Sequence, residues 1–212
     1  MEITWHGHSC FRITERSMAT VVTDPYNHEE TGYKPLALKG DIITISQDSP
    51  NHNFVEAVKG SEWQIRGAGE YEIGGVFLTT VPTDKNKKDG AGNMVAAFEY
   101  DGVNVVHLGM MKSVPTRGEI ELIGNADVLL IPVGGGNSMN AARAAEVISM
   151  LEPGIVVPMH YKTDTSKLDL NPVDQFLKEM GLGQDIEIKA SLKITRGSIP
   201  EETRVEVLSD QH

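Results

Sequence analysis

Short apolar runs, several of them alternating with polar positions, fill the first two thirds of the chain. Residues 3–5, 11–14, 19–23, 41–45, 63–66, 76–81, 94–100 and 104–108 read as strands by this period of two. Asp101-Gly102, between the last two, is a tight hairpin signal. The period changes late. From Asn140 to Leu151, the residues Ala144, Val147, Ile148 and Leu151 recur at helical spacing, with Ser138 or Asn140 as cap and Pro153-Gly154 as stop. Residues 155–159 form a continuous apolar run, as a strand buried on both faces does. A second helix is expected with Asn171 as cap, Pro172 in the first turn, Val173, Phe176, Leu177 and Met180 on its apolar face, and Gly181 at its end. Strands at 192–195 and 204–208 follow, and a short helix is expected at 54–58. The early strands read as antiparallel or mixed, not as βαβ units. Many strands with late helices imply sheet packed on sheet, with helices outside.

Composition narrows the partners. With 212 residues the chain suits one domain, or two halves sharing a core. It carries 30 acidic and 19 basic side chains, a net charge of −11, which disfavours binding to a phosphate backbone. Lys85, Lys87 and Lys88 form a cationic cluster, but Asp84, Asn86 and Asp89 alternate with them and Gly90 and Gly92 follow, so a solvated, flexible turn is expected. One cysteine, Cys10, excludes an internal disulfide, fits a reducing cytoplasm and reads as a buried, inert thiol. The chain opens on a strand pattern without a charged leader and apolar core, so no signal peptide is expected. Its longest apolar runs, such as 128–133, are too short to span a bilayer. A cytoplasmic protein with a small-molecule ligand is expected, without nucleic-acid or membrane partners; a homo-oligomer stays open.

The chemistry gathers around one polar loop, Ser46-Gln47-Asp48-Ser49-Pro50-Asn51-His52, which follows an apolar run. His52 reads either as a site residue or as an early helix residue, and Asn51 as a helix cap. His160 ends a buried strand, where an imidazole is either a hydrogen-bonded structural group or a ligand. Asp24 precedes Pro25 and suits a turn. His6 and His8 share a face if the first strand continues through them. His107 suits support of neighbouring loops, and His28 and His212 suit the surface. Gly134-Gly135-Gly136 lacks the Lys-Ser/Thr ending of a phosphate loop and reads as a backbone turn.

Six segments taken together resemble the metallo-β-lactamase superfamily, in the branch of L-ascorbate-6-phosphate lactonase-like and zinc-dependent hydrolase proteins. They are Gly7-His8-Ser9-Cys10-Phe11, Thr23-Asp24-Pro25, residues 69–75, His107-Leu108-Gly109, residues 131–135 and Val157-Pro158-Met159-His160-Tyr161. They occur in the family's order over roughly residues 1–165. The resemblance implies an α+β fold, a four-layer αββα sandwich in one domain over 1–212, with the site along one edge of the sheets.

The resemblance also implies a two-metal site built on His-x-His-x-Asp-His. On that template Gln47 stands for the first His, Ser49 for the second and Asn51 for the Asp, while His52 matches. Thr83 falls at the downstream His, Met110 at the bridging Asp, and His160 at the final His. Asp24 and His107 lie behind the ligands. Zinc is held by thiolate, imidazole and carboxylate, none of which Gln, Ser, Asn or Thr supplies, and a thioether suits copper(I) better. The Met110-Met111 pair is then expected to fill space that a metal takes in the family. Three functions follow from the resemblance. The first is a non-catalytic or metal-poor homologue that binds a small ligand or partner. The second is a hydrolase with one weakly held zinc or manganese on His52, His160 and one of Asp48, His8 or Asp24, acting on a small ester, lactone or phosphorylated metabolite. The third is a structural subunit of an oligomer.

Overall fold

The computed structural model describes residues 1–83, 92–183 and 185–211. The residues expected to form the flexible loop at 84–91, with its lysine cluster, and His212 lie outside them. In chain order the elements are β1 (Glu2–Trp5), β2 (Phe11–Thr14), β3 (Val21–Thr23), α1 (His28–Thr31), β4 (Leu38–Lys39), β5 (Ile42–Thr44), β6 (Val58–Lys59), β7 (Trp63–Ile65), β8 (Gly69–Ile73), β9 (Val76–Thr83), β10 (Asn93–Tyr100) and β11 (Val103–His107). There follow α2 (Arg117–Ile123), β12 (Val128–Pro132), α3 (Ala141–Leu151), β13 (Ile155–Met159), α4 (Val173–Glu179), β14 (Ile188–Lys189), β15 (Leu192–Lys193), β16 (Arg204–Val205) and β17 (Val207–Leu208).

Two sheets face each other. One runs β15-β1-β2-β3-β5-β7 and the other β16-β13-β12-β11-β10-β9-β8. Their inner faces share one apolar core, with Ile3, Trp5, Phe11, Val21 and Ile42 on one side and Leu78, Val95, Phe98, Val105 and Leu129 on the other. Alternation explains the first sheet: in β1 only Ile3 and Trp5 are buried. β12 and β13 are buried at every position because α3 and α4 cover their outer face with Ala144, Val147, Phe176 and Leu177. The layer over the first sheet is thinner. There the single-turn α1 and its flanking loops pack Tyr26, Tyr33 and Leu38 onto Cys10, Val22 and Ile43. The architecture is the expected αββα sandwich.

The sheets are mixed. β3, β5 and β7 are parallel to one another, as are β11, β12, β13 and β16. The early strands are therefore not all antiparallel, and β11-α2-β12 and β12-α3-β13 are βαβ crossovers. Asp101 (φ 49°) and Gly102 (φ 74°) form the expected hairpin turn between β10 and β11.

Several local expectations change. α2 escapes the periodicity reading because it has one fully buried side chain, Ile123, and carries Gly118; its start is nevertheless written in the capping box of Thr116 and Glu119. β8 is a polar edge strand whose Glu70 and Glu72 guard against edge pairing. The helix expected at 54–58 is a single 3-10 turn, Val55–Ala57. Asn171 does not cap α4: Pro172 holds that position, and the Asn171 backbone bonds to Gly134 and Lys162 instead. Asn140, not Ser138, caps α3 by accepting from the Arg143 N–H. β1 stops at Trp5, so His6 and His8 do not share a strand face; Gly7 (φ 93°) and His8 (φ 53°) turn the chain back so that Cys10 N–H reaches the Gly7 carbonyl. Among the described residues no helix is long and apolar enough to cross a membrane.

Candidate functional site

The candidate residues meet at the carboxyl ends of the parallel strands, where open α/β sheets leave a crevice. β3 runs into Asp24, β5 into Ser46, β11 ends in His107, and β13 runs into His160. Asp24 (φ 39°) and His160 (φ 50°) each leave their strand in a left-handed turn, as does His8 after β1. These turns swing the side chains inward. The His8 carbonyl accepts from Trp5 Nε1 at 3.1 Å and from the His160 N–H at 3.0 Å, which stitches two ends of the chain together. Gly134 permits the approach from the other side: a Cβ there would lie 2.2 Å from the His160 carbonyl oxygen.

Three imidazoles converge as a result. The His8 ring stands 4.7 Å from His52 and 4.6 Å from His160, centroid to centroid, and all three residues are buried. His52 Nδ1 donates to Asp24 Oδ2 at 3.0 Å, and its Nε2 lies within hydrogen-bonding reach of His8 Nε2, at 3.3 Å. Asp24 is fully buried and also accepts from the Ser46 N–H at 2.7 Å and the Ser46 hydroxyl at 2.5 Å. Burial pushes the Asp24 carboxyl up, but the charge and hydrogen bond of His52, the charge of His107 and the Ser46 bond together hold it below its ordinary value. Ser138 Oγ can donate to the Gly135 carbonyl and pairs with His160 Nδ1, both at 3.0 Å. Burial, reinforced by His52, lowers His160 to about 3. Burial, with His160 and His52 beside it, takes His8 well below its ordinary value, and burial also lowers His107. These imidazoles are neutral near pH 7, the form that binds metal. His107 bonds through Nε2 to the Ser9 carbonyl at 3.0 Å and so braces the turn that carries His8.

The polar loop forms the rim. Gln47, Ser49, Asn51 and Met110 line a cleft of about 390 Å³ together with the three imidazoles. Asn51 does not act as a cap: its Oδ1 is buried without a partner, as is His8 Nδ1. Asp48 does not join the imidazoles. Its side chain is 87% exposed, accepts from Asn53 Nδ2 at 2.7 Å and faces Arg66. Thr83 lines an adjoining hollow of about 380 Å³ that also contains Gln47. Asn93, which the sequence reading did not single out, ties this half together: Nδ2 donates to Thr83 Oγ1 and to the Leu108 carbonyl, and Oδ1 accepts from the Met110 N–H. Ser46 and Ser138 were also missed as imidazole supports. Ser138 carried a sequence signal only as a candidate helix cap. Of the far wall of the cleft, Gly136 was read only as part of a backbone turn, and Asn137, Leu168, Asp169 and Leu170 carried no signal.

The donor set does not suit a pair of metals, because the positions at Gln47, Ser49, Asn51, Thr83 and Met110 hold neutral side chains. A single ion is a closer match. Two nitrogens that share a tetrahedral zinc at ~2.0–2.1 Å lie about 3.4 Å apart; the His8 and His52 Nε2 atoms are 3.3 Å apart in a hydrogen-bond contact, whose shared proton an ion would displace. Among the described residues no three His, Cys, Asp or Glu groups are already drawn together around one ion. The His160 ring, 4.6 Å from that of His8 centroid to centroid, is the third imidazole beside them.

A two-sheet sandwich with imidazoles collected at the strand ends defines a protein of the metallo-β-lactamase fold. Residues 2–160 match the family model described as the β-lactamase superfamily domain, and the chain belongs to that family. A crystal structure from Thermotoga maritima, of a protein proposed to be a Zn-dependent hydrolase of the metallo-β-lactamase superfamily, is 36% identical. It covers 98% of this chain and 97% of its own, with a TM-score of 0.79. A protein of Archaeoglobus fulgidus named "UPF0173 metal-dependent hydrolase" is 27% identical over 89% of this chain and 94% of its own. The metallo hydrolase Igni18 of Ignicoccus hospitalis shares the fold, at 18% identity, a TM-score of 0.66, and 97% and 94% coverage.

Proposed function

We propose that the chain is a metal-dependent hydrolase with a single-ion centre, held by His8, His52 and His160, that acts on a small ester, lactone or phosphorylated metabolite. One observation carries this reading: the 3.3 Å spacing of two imidazole nitrogens, one of them oriented from behind by a buried carboxylate. The names of the relatives support it. Zinc or manganese, when bound, supplies Lewis acidity at the cleft floor. The chain's own groups do the rest. Asp24 sets the tautomer of His52, Ser138 sets the orientation of His160, and Trp5 and His107 hold the His8 turn. Gln47, Ser49 and Asn51 offer hydrogen bonds to a substrate over that floor.

Elemental analysis of protein purified without chelator tests the reading. About one zinc or manganese per chain is expected, lost in His52→Ala and in His160→Ala, together with hydrolysis of at least one member of an ester and lactone panel. Protein that takes up no metal after zinc soaking removes the hydrolase reading.

The second reading is a non-catalytic, metal-poor homologue that uses the cleft to bind a small ligand or partner. The neutral groups at Gln47, Ser49, Asn51, Thr83 and Met110 favour it, as does the lack of a closed three-donor set among the described residues. A cytoplasmic location and a homo-oligomer belong to the same proposal; buried Cys10 fits the first, and light scattering of the purified chain tests the second.

A further inference from the structure

We infer that the ligand of this cleft is an uncharged, hydroxyl- or amide-bearing molecule of monosaccharide size, not a phosphorylated one. The inference narrows the substrate class of the proposed hydrolase and rests on the same cleft.

Its walls are the first argument. Among the described residues that line the cleft there is no lysine or arginine, and apart from the imidazoles the one ionisable side chain is the carboxyl of Asp169. Among the described residues, Lys167, which precedes Leu168, donates to the Glu29 carbonyl. Lys162 donates to the carbonyls of Ser166 and Leu168, and Arg66 faces Asp48 in the adjoining hollow. Phosphate sites are built from arginine, lysine, a ring of backbone N–H groups or a metal ion; the ion of the proposed centre would face the ester or lactone carbonyl and leave a remote phosphate without a cation, while a net charge of −11 adds general repulsion of anions.

The unpartnered atoms are the second argument. Asn51 Oδ1 and His8 Nδ1 are buried without hydrogen-bond partners, and His8 is 1% exposed. A buried polar atom left unpaired costs about 1–3 kcal/mol, so it marks a place where a ligand gains by bonding. Asn51 Oδ1 is an acceptor and needs a donor, which a hydroxyl or amide supplies. Gln47, Ser49 and Asn137 each donate and accept, as sugar hydroxyls do, while Met110, Leu168 and Leu170 offer an apolar face to a carbon skeleton. A cleft of about 390 Å³ falls within the range of small-molecule sites, roughly 300–1,000 Å³.

Matched probes test this by binding, independently of turnover. D-ribono-1,4-lactone and its 5-phosphate, and glucose and glucose 6-phosphate, are titrated into the full chain by calorimetry and ligand-detected NMR, with metal content measured on the same samples. The neutral member of at least one pair is expected to bind at least about tenfold more tightly than its phosphate, because like charges brought together are strongly disfavoured. Asn51→Leu should abolish that binding. Gln47→Lys, at a half-exposed position that tolerates a long side chain, should reverse the preference toward the phosphate. Tighter binding of the phosphorylated members by the unaltered chain, or no binding by any member, overturns the inference. Neutral binding by protein that takes up no metal after zinc soaking supports it while removing the hydrolase reading. Phosphate preference by metal-loaded protein removes the inference alone.

Discussion

The imidazole floor of the cleft and the side where it meets the adjoining hollow have opposite characters. On one side His8, His52 and His160 converge with their outer nitrogens or backbones fixed by Asp24, Ser138 and Trp5. On the other, Thr83, Asn93 and Met110 bond to one another, with Asn93 as the bridge. Both halves are ordered, but only the first presents lone pairs to the cleft. An orienting shell such as Asp24 or Ser138 improves a ligand's affinity, whereas a network such as that of Asn93 satisfies groups that have no ion to face. The difference teaches that buried polar groups of one fold are satisfied in two ways, by orienting imidazoles and by bonding to one another.

The comparison breaks first at Asp24. Asp24→Ala strips the acceptor from His52 Nδ1, the Ser46 N–H and the Ser46 hydroxyl at once. Urea unfolding should show a loss of about 3–5 kcal/mol, as when one partner of a buried pair is removed. A loss below ~1 kcal/mol would mean that the carboxylate is not the support described.

Converting the neutral half should rebuild a metal site. The combination Gln47→His, Ser49→His, Asn51→Asp, Thr83→His and Met110→Asp is expected to raise zinc affinity by about 100-fold or more, since it restores imidazoles and carboxylates, the ligands zinc prefers. Competition with a chromogenic chelator measures this. Unchanged affinity would show that those positions do not face one ion.

The halves should also differ in their response to pH. In chelator-treated protein, His8, His107 and His160 are held neutral by burial, below the ordinary value of about 6.5. The unfolded chain then binds more protons than the fold below pH ~6.5. Stability should therefore fall with pH, by up to ~1.4 kcal/mol per unit for each histidine. For His160 the loss continues down to about 3. Asp24, whose folded value is depressed, adds its own loss as the pH drops below the unfolded carboxylate value of about 3.9. Thr83, Asn93 and Met110 do not titrate in this range, so Asn93→Ala should lower the whole curve without altering its slope. Denaturation midpoints from pH 4 to 8 check both statements.

The smallest effect is expected at Ser138→Ala, which frees His160 Nδ1. About 1 kcal/mol of stability and about tenfold in metal affinity should be lost. No change in metal affinity would remove His160 from the ligand set.

Much of this was legible along the chain. The strands at 3–5, 11–14 and 155–159, the helix at 140–151 and the hairpin at Asp101-Gly102 follow from local period and turn chemistry, and the six motifs named the family. The cleft rim of Gln47, Ser49, Asn51 and His52 was legible as well, because it lies on one short loop. What was not legible depends on contacts across the fold. Asn93 reads as an ordinary strand residue until the turn at Gly109 is pressed against Ser46, where a Cβ would lie only 2.3 Å from the serine's own. Asp48 reads as a fair ligand until its loop turns it toward Arg66.

By itself the sequence determined the layers and the family, since alternation and motif order are local properties of the chain. Only the tertiary structure decided which donors meet. His8 reaches His52 and His160 because left-handed turns end three strands that are far apart in sequence, and one backbone carbonyl joins them. No local pattern encodes a distance of that kind.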